Sequence, residues 1–128
     1  MPRLLGPRLG AITTAAGAST EIDSPVDAMP SVLWDAVIVP DGGKTDPRAT
    51  DGRVLEFLKD QFRHCKPLLA IGSGEQLLSK ADIPLALPDG GADPGLLLHA
   101  ADDIPIDGFI TALARHRHFE RETDPPRV

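Results

Sequence analysis

The sequence predicts a layered α/β fold built on a mainly parallel sheet. Three stretches carry that expectation. Leu68 to Ile71 is a short, nearly unbroken apolar run between Pro67 and Gly72, the signature of a strand buried on both faces. Trp34-Asp35-Ala36-Val37-Ile38-Val39-Pro40 is a second, β-branched strand closed by Pro40 and the turn Asp41-Gly42-Gly43. Between them, Thr50 or Asp51 can cap a helix running to about His64. Val54, Leu55, Leu58, Phe62 and Cys65 fall on one side of it, as on a helix packed against a sheet. Strands alternating with helices imply parallel order.

The other elements follow from the same signals. Leu9 to Thr14, a turn at Ala15 to Ala18, and Ser19 to Asp23 read as a small β-hairpin. Gly74 to Lys80 reads as a short helix, Ile83 to Pro94 as loop, and Gly95 to His99 as the last strand. Asp107 is placed to cap a final helix whose apolar face is Ile106, Phe109, Ile110 and Leu113. A chain of 128 residues is expected to form one domain over 1–128, with 1–7 and 123–128 as loose ends.

Composition narrows the function. The formal net charge is -6 and no stripe of Lys and Arg occurs, which argues against nucleic acid as a partner. A single cysteine leaves no internal disulfide framework and fits a reducing, cytoplasmic setting. No apolar run reaches the length of a membrane span, so no membrane partner is expected.

Strand, tight glycine turn and helix, here Ile71-Gly72-Ser73-Gly74-Glu75, is the elbow at which α/β folds place a nucleophile or hold an anion. Nothing overtly reactive stands there. Ser73 lacks a Gly-x-Ser-x-Gly frame, because position 71 is Ile, and reads as a serine capping the following helix. A backbone anion site at Gly72 to Gly74 is the alternative. Cys65 precedes the strand and continues an apolar helix stripe, so it reads as a packed thiol. His116 and His118, with His64, His99 and Cys65, show no zinc-ligand spacing, and no metal is expected. Arg115-His116-Arg117-His118 reads as a basic helix end suited to domain or subunit contacts, with His64 beside it.

Four segments carry a resemblance. Pro7-Arg8-Leu9-Gly10, the run from Ser31 to Pro40, Arg63-His64-Cys65-Lys66-Pro67 and the run from Ala114 to Glu122 resemble, in order and spacing, the C-terminal domain of large-subunit haem catalases. That domain is similar to the PfpI-type, class I glutamine amidotransferase-like fold. The resemblance therefore implies an incomplete flavodoxin-like three-layer sandwich with a mainly parallel sheet and a small β-hairpin. It is incomplete because family domains carry a strand, a helix and a second strand before the segment matching Pro7 to Gly10. A chain without that central strand has open edges and uncovered apolar surface, and is expected to self-associate, pair with a partner or be marginally stable.

The resemblance also bears on chemistry. PfpI-type proteins put a cysteine on the elbow, where this chain has Gly72, and often a histidine next, where it has Ser73. In the large catalases, haem, peroxide and the catalytic residues belong to the preceding barrel, whose iron is held by a tyrosine. This chain has no tyrosine. The expectation is a non-catalytic accessory domain with no cofactor and no catalytic residue of its own. Catalase subunits or further copies of itself would be its partners, in an assembly or chaperone-like role within hydrogen peroxide detoxification. The alternative is a small PfpI or amidotransferase-like enzyme, or a ligand-binding protein, using Gly72, Ser73, Gly74 and Glu75.

Overall fold

A computed structural model describes residues 1–102, 104 and 106–126. Its centre is a parallel sheet of β5 (Val37–Val39), β6 (Leu68–Ile71) and β7 (Leu96–His99), with β6 in the middle. Val37, Leu68 and Leu96 share one register row, and Val39, Ala70 and Leu98 another. These two rows face α1 (Gly52–Arg63) and α2 (Gly74–Lys80). There Val39, Leu68 and Ala70 pack with Leu58, Phe62, Leu77 and Leu78 in one apolar cluster. Removing each of the Val, Leu and Phe side chains from water contributes about 1.5–3 kcal/mol. Leu69, on the opposite face of the sheet, is fully buried too. This is the α/β architecture that the alternation of strand and helix predicts.

Both helices end as their sequences dictate. Asp51 caps α1, its carboxylate accepting the Arg53 N–H at 3.0 Å. At the other end Cys65 takes φ +59, its N–H donating to Phe62 O, and Lys66 N–H donates to Gln61 O. That is a Schellman stop with cysteine in the position glycine usually fills. Asp82, at φ +57, closes α2 in the same way, its N–H donating to Ser79 O and the Ile83 N–H to Leu78 O.

The hairpin forms as β2 (Gly10–Thr13) against β3 (Ser19–Ile22), joined through Thr14 to Ala18. Residues 1–7, expected to be loose, are tied down in part. Leu5–Gly6 forms β1, paired in parallel with β4 (Ser24–Pro25), and Leu4 N–H donates to the Asp23 carboxylate at 2.7 Å. Of the expected loose end 123–128, residues 127 and 128 lie outside the described residues.

The last helix differs from expectation. α3 (Ile106–Ala114) already includes Asp107 in its first turn, so that residue is not its cap. Phe109 and Ala112 are its buried residues, while Ile106 and Ile110 are 51% and 55% exposed. Asp107, Gly108 and Thr111 share one side of the helix, but the apolar arc opposite them is wider than the face that is covered, so periodicity could not say which part of it would pack.

After α3 the chain turns back under the amino ends of the strands. Arg121 lies there, its side chain 2% exposed, with Nε donating to Asp93 Oδ2 at 2.6 Å. Its Nη1 donates to Lys66 O at 2.7 Å, and its guanidinium lies 4.6 Å from the centre of the Phe62 ring. The other Asp93 oxygen accepts Gly95 N–H at 2.8 Å, immediately before β7. Breaking a buried pair strands one charge, so Arg121→Ala is expected to cost about 3–5 kcal/mol in urea unfolding. Arg121→Leu with Asp93→Leu should recover part of that loss. A single-variant loss under about 1 kcal/mol would mean the pair is not holding the sheet base.

Candidate functional site

Open α/β sheets place ligands at the carboxyl ends of their strands. Here that edge joins Asp41, beyond β5, to the Gly72-Ser73-Gly74 elbow beyond β6. Gly72 takes φ +56, and its N–H donates to His99 O at the end of β7 at 2.8 Å. A Cβ on Gly72 would stand 2.6 Å from Asp41 Cγ. Glycine is thus required twice, for the left-handed backbone and for the carboxylate packed against it.

Ser73 does not cap α2, contrary to expectation. Its backbone is already helical, and no side-chain cap bond forms. A capping side chain needs an extended backbone at that position. Instead its hydroxyl reaches across to the loop after β5, donating to Asp41 Oδ1 at 2.8 Å and accepting Gly42 N–H at 2.8 Å. Asp41 Oδ1 also accepts the N–H groups of Gly43 at 3.0 Å and Ser73 at 3.2 Å. Arg48 steadies this loop, donating to Pro40 O at 2.6 Å while paired with Asp46. Gly74 is buried where a Cβ would meet Val39 O at 2.8 Å, so α2 starts directly on the β5 backbone. Glu75 is exposed in the first turn of α2.

This arrangement has limited chemistry. The Gly43 N–H, then the Ser73 hydroxyl and N–H, hold the Asp41 carboxyl below the ordinary aspartate range. An ionised, weakly basic carboxylate bonded directly to a hydroxyl is a poor general base for it, and the imidazole of a triad is not interposed. The same carboxylate occupies the N–H group that an external anion would use. Asp41 is the residue that sequence reasoning missed, having been read only as the start of the turn that closes a strand. Its place directly after a strand and before two glycines was the available signal.

The basic group lies at the opposite end of the sheet. Arg115-His116-Arg117-His118 follows α3 rather than ending it, with His116 at φ +64. His118, expected at a surface contact, is instead 1% exposed; its N–H donates to Cys65 O at 2.7 Å and its Nε2 lies 3.0 Å from Ala112 O. Arg117 donates to His64 O at 2.7 Å. Arg115 pairs with Glu120, while His64 and His116 are exposed. Cys65 is buried, and burial pushes its thiol up from the ordinary range. Lys66 is buried as well, donating to Val32 O and to Trp34 O. Burial, and then nearby Arg117, lower its ammonium from the ordinary lysine range. Among the described residues, no three His, Cys, Asp or Glu side chains gather as a metal-holding group. No helix among them is long and apolar enough to cross a membrane.

Sheet, elbow and helices define the class: a ThiJ/PfpI-like, flavodoxin-type fold. A solved ThiJ/PfpI family protein from Pseudomonas syringae superposes with a TM-score of 0.67 at 17% identity, covering 90% of this chain and 56% of that one. The particular family is narrower. A family model for the C-terminal domain found in long catalases matches residues 5–123, and the chain belongs to that family. Catalase HPII of Pseudomonas aeruginosa is 33% identical over 122 residues, which make up 94% of this chain and 16% of that relative's length. The chain therefore spans only about a sixth of that catalase. Protein/nucleic acid deglycase 2 of Escherichia coli is 36% identical over 66 residues, 52% of this chain and 38% of its own length.

Two outcomes test the elbow. Gly72→Cys is expected to destabilise by about 1–3 kcal/mol through its backbone and the Asp41 contact, with Asp41→Gly restoring the steric part in urea unfolding. Because the Asp41 carboxyl is depressed, its bonds are complete above the ordinary aspartate range and lost as pH falls through the lower folded value. The amide signals of Gly43 and Ser73 should move together in that acid window, and in Asp41→Asn they should not titrate.

Proposed function

We propose that this chain is a non-catalytic accessory domain. It works by contact with catalase subunits, in their assembly or in a chaperone-like role, and it serves hydrogen peroxide detoxification in the cytoplasm. The observation that supports this reading is the filled elbow: Gly72 stands where a PfpI-type nucleophile would, with the Asp41 carboxylate packed against it. Membership of the family of C-terminal domains found in long catalases supports the choice of catalase subunits as the partner.

The alternative, a small enzyme or ligand-binding protein using the elbow, draws on the partial similarity to a deglycase. Its chemistry would need a group on the elbow able to attack a carbonyl. Ser73 is committed to Asp41 and Gly42, and the Cys65 thiol is buried at the other end of β6 with its ionisation disfavoured.

The test is a purification of the tagged chain from its native lysate, read by Soret absorbance and peroxide decomposition. The expected result is a co-eluting haem protein that decomposes peroxide, while the isolated chain shows neither the Soret band nor activity. A clean chain without haem partner would overturn the accessory reading. Turnover of glyoxal or a glycated amine by the isolated chain, abolished in Ser73→Ala, would establish the alternative.

A further inference from the structure

Aspartate followed by glycine occurs at Asp41-Gly42, Asp51-Gly52, Asp89-Gly90 and Asp107-Gly108. Such a pair has a chemistry of its own. With no Cβ on the glycine, the peptide nitrogen after the aspartate can approach the side-chain carboxyl and attack it. The attack requires a carboxyl folded back over that peptide and a proton with which its oxygen leaves as water. It also requires a backbone free to close a five-membered ring.

The fold treats these pairs differently. Asp107 and Gly108 lie inside α3, whose helical backbone would have to unwind before the ring could close. The other pairs share one geometry. Each aspartate folds over the next peptide and accepts the N–H two residues on: Asp41 from Gly43 at 3.0 Å, Asp51 from Arg53 at 3.0 Å and Asp89 from Gly91 at 2.8 Å.

Two of those are then locked. Asp41 also accepts the Ser73 hydroxyl and N–H, and the Gly42 N–H is itself committed to Ser73 Oγ at 2.8 Å. Asp51 is clamped by Arg53, whose Nη2 donates to Oδ2 at 2.9 Å and whose Nε donates to Oδ1 at 3.1 Å. Both carboxyls lie below the ordinary aspartate range, Asp41 chiefly through the Gly43 N–H and Asp51 chiefly through the Arg53 side chain, so the proton the reaction needs is disfavoured on each.

Asp89 is not locked in this way. Among the described residues, its carboxylate accepts the Gly91 N–H alone. Asp89, Gly90 and Gly91 are exposed, and a Cβ on Gly90 would meet nothing within 4 Å, so the peptide is open to water. The Gly90 N–H donates to Leu87 O at 2.8 Å, a bond that ring closure breaks. It belongs to a turn on the surface, the kind of segment that opens locally at low cost.

We propose that Asp89 is a self-modification site, where the Gly90 nitrogen attacks Asp89 Cγ and the resulting succinimide reopens as isoaspartate. The N–Cγ bond forms as hydroxyl from the carboxyl and hydrogen from the Gly90 N–H leave together as water. Water then adds at the Asp89 main-chain carbonyl, the bond from that carbon to the Gly90 nitrogen breaks, and the nitrogen regains a proton. No oxidant or reductant takes part. The chain now runs through Cβ and Cγ, one carbon longer between α2 and β7, and carries a free α-carboxylate. That group is the substrate class of carboxyl methyltransferases that act on isoaspartate.

The experiment incubates the intact chain at neutral pH and maps isoaspartate by electron-transfer fragmentation of its peptides. Labelling with an isoaspartate carboxyl methyltransferase and S-adenosylmethionine is the second readout. In the native chain, isoaspartate at Asp89 is expected to exceed that at Asp41, Asp51 or Asp107 by about tenfold or more, since those positions react only after local opening. In denaturant every Asp-Gly pair should convert alike, because the selection lies in the fold. Asp89→Asn should convert faster, losing ammonia in place of water. Asp89→Glu, whose ring would be six-membered, should remove the label while leaving circular dichroism unchanged. Isoaspartate spread evenly over the pairs in the native chain overturns the proposal. So does conversion at Asp89 in denaturant only, or a label that persists in Asp89→Glu.

Discussion

The fold depends on one buried ion pair. Asp93 and Arg121 come from segments 28 residues apart and meet with both side chains 2% exposed. Desolvating two charges is costly, and their attraction offsets this only when the remaining polar atoms are also used. Here most are. Asp93 takes the Gly95 N–H, and Arg121 takes the carbonyl of Lys66 and covers Phe62. The pair thereby fixes the start of β7, the start of β6 and the end of α1 relative to one another. His118 and Arg117 extend the same clasp, each donating to a carbonyl of the turn that closes α1, at Cys65 and His64. Lys66 carries it to the segment before β5 through the carbonyls of Val32 and Trp34.

This clasp gives the family's sequence signatures a physical meaning. Arg-His-Cys-Lys-Pro, the run around Trp34 and Arg-His-Arg-His-Phe-Glu-Arg are far apart in the chain, yet they touch one another at the amino ends of the strands. Ligand chemistry in such sheets belongs at the carboxyl ends. There the chain has an elbow of the right backbone shape whose space and Ser73 N–H are taken by its own Asp41. The two ends of the sheet thus differ. One keeps a dense set of side-chain-to-backbone bonds that hold the layers together, and the other keeps a turn without a reactive group.

Much of this could be read from residue order. The runs at Leu68 to Ile71 and Gly74 to Lys80 fell within their observed bounds, because glycine, proline and an apolar strand confine them from both sides. The hairpin and the Asp51 cap were legible for the same local reason. Long-range facts were not. His118 and Lys66 look like surface residues until a fold supplies carbonyls for them to meet. Cys65 could be read as buried, but not as the left-handed stop of α1, since cysteine has no preference for that backbone. In α3, Ile106 and Ile110 extend the apolar pattern as well as Phe109 and Ala112 do, and only tertiary packing chooses between the faces. At the elbow the glycines were visible, but their partner was 31 residues away in an ordinary Asp-Gly-Gly turn.

The mismatch between what β5 is made of and where it sits joins these threads. Val37-Ile38-Val39 is a sequence for the middle of a sheet, and β6 and β7 supply only one of the two neighbours such a strand takes. The clasp below and Arg48 above hold β5 in place, so it cannot turn Ile38 inward by shifting register. A one-residue slip would bring Val37 and Val39 to the solvent side and empty the α1 face. The strand therefore keeps its buried valines, and its open edge is the consequence. That edge carries a directional set of backbone donors and acceptors, beside an elbow whose Ser73 hydroxyl is already bonded to Asp41.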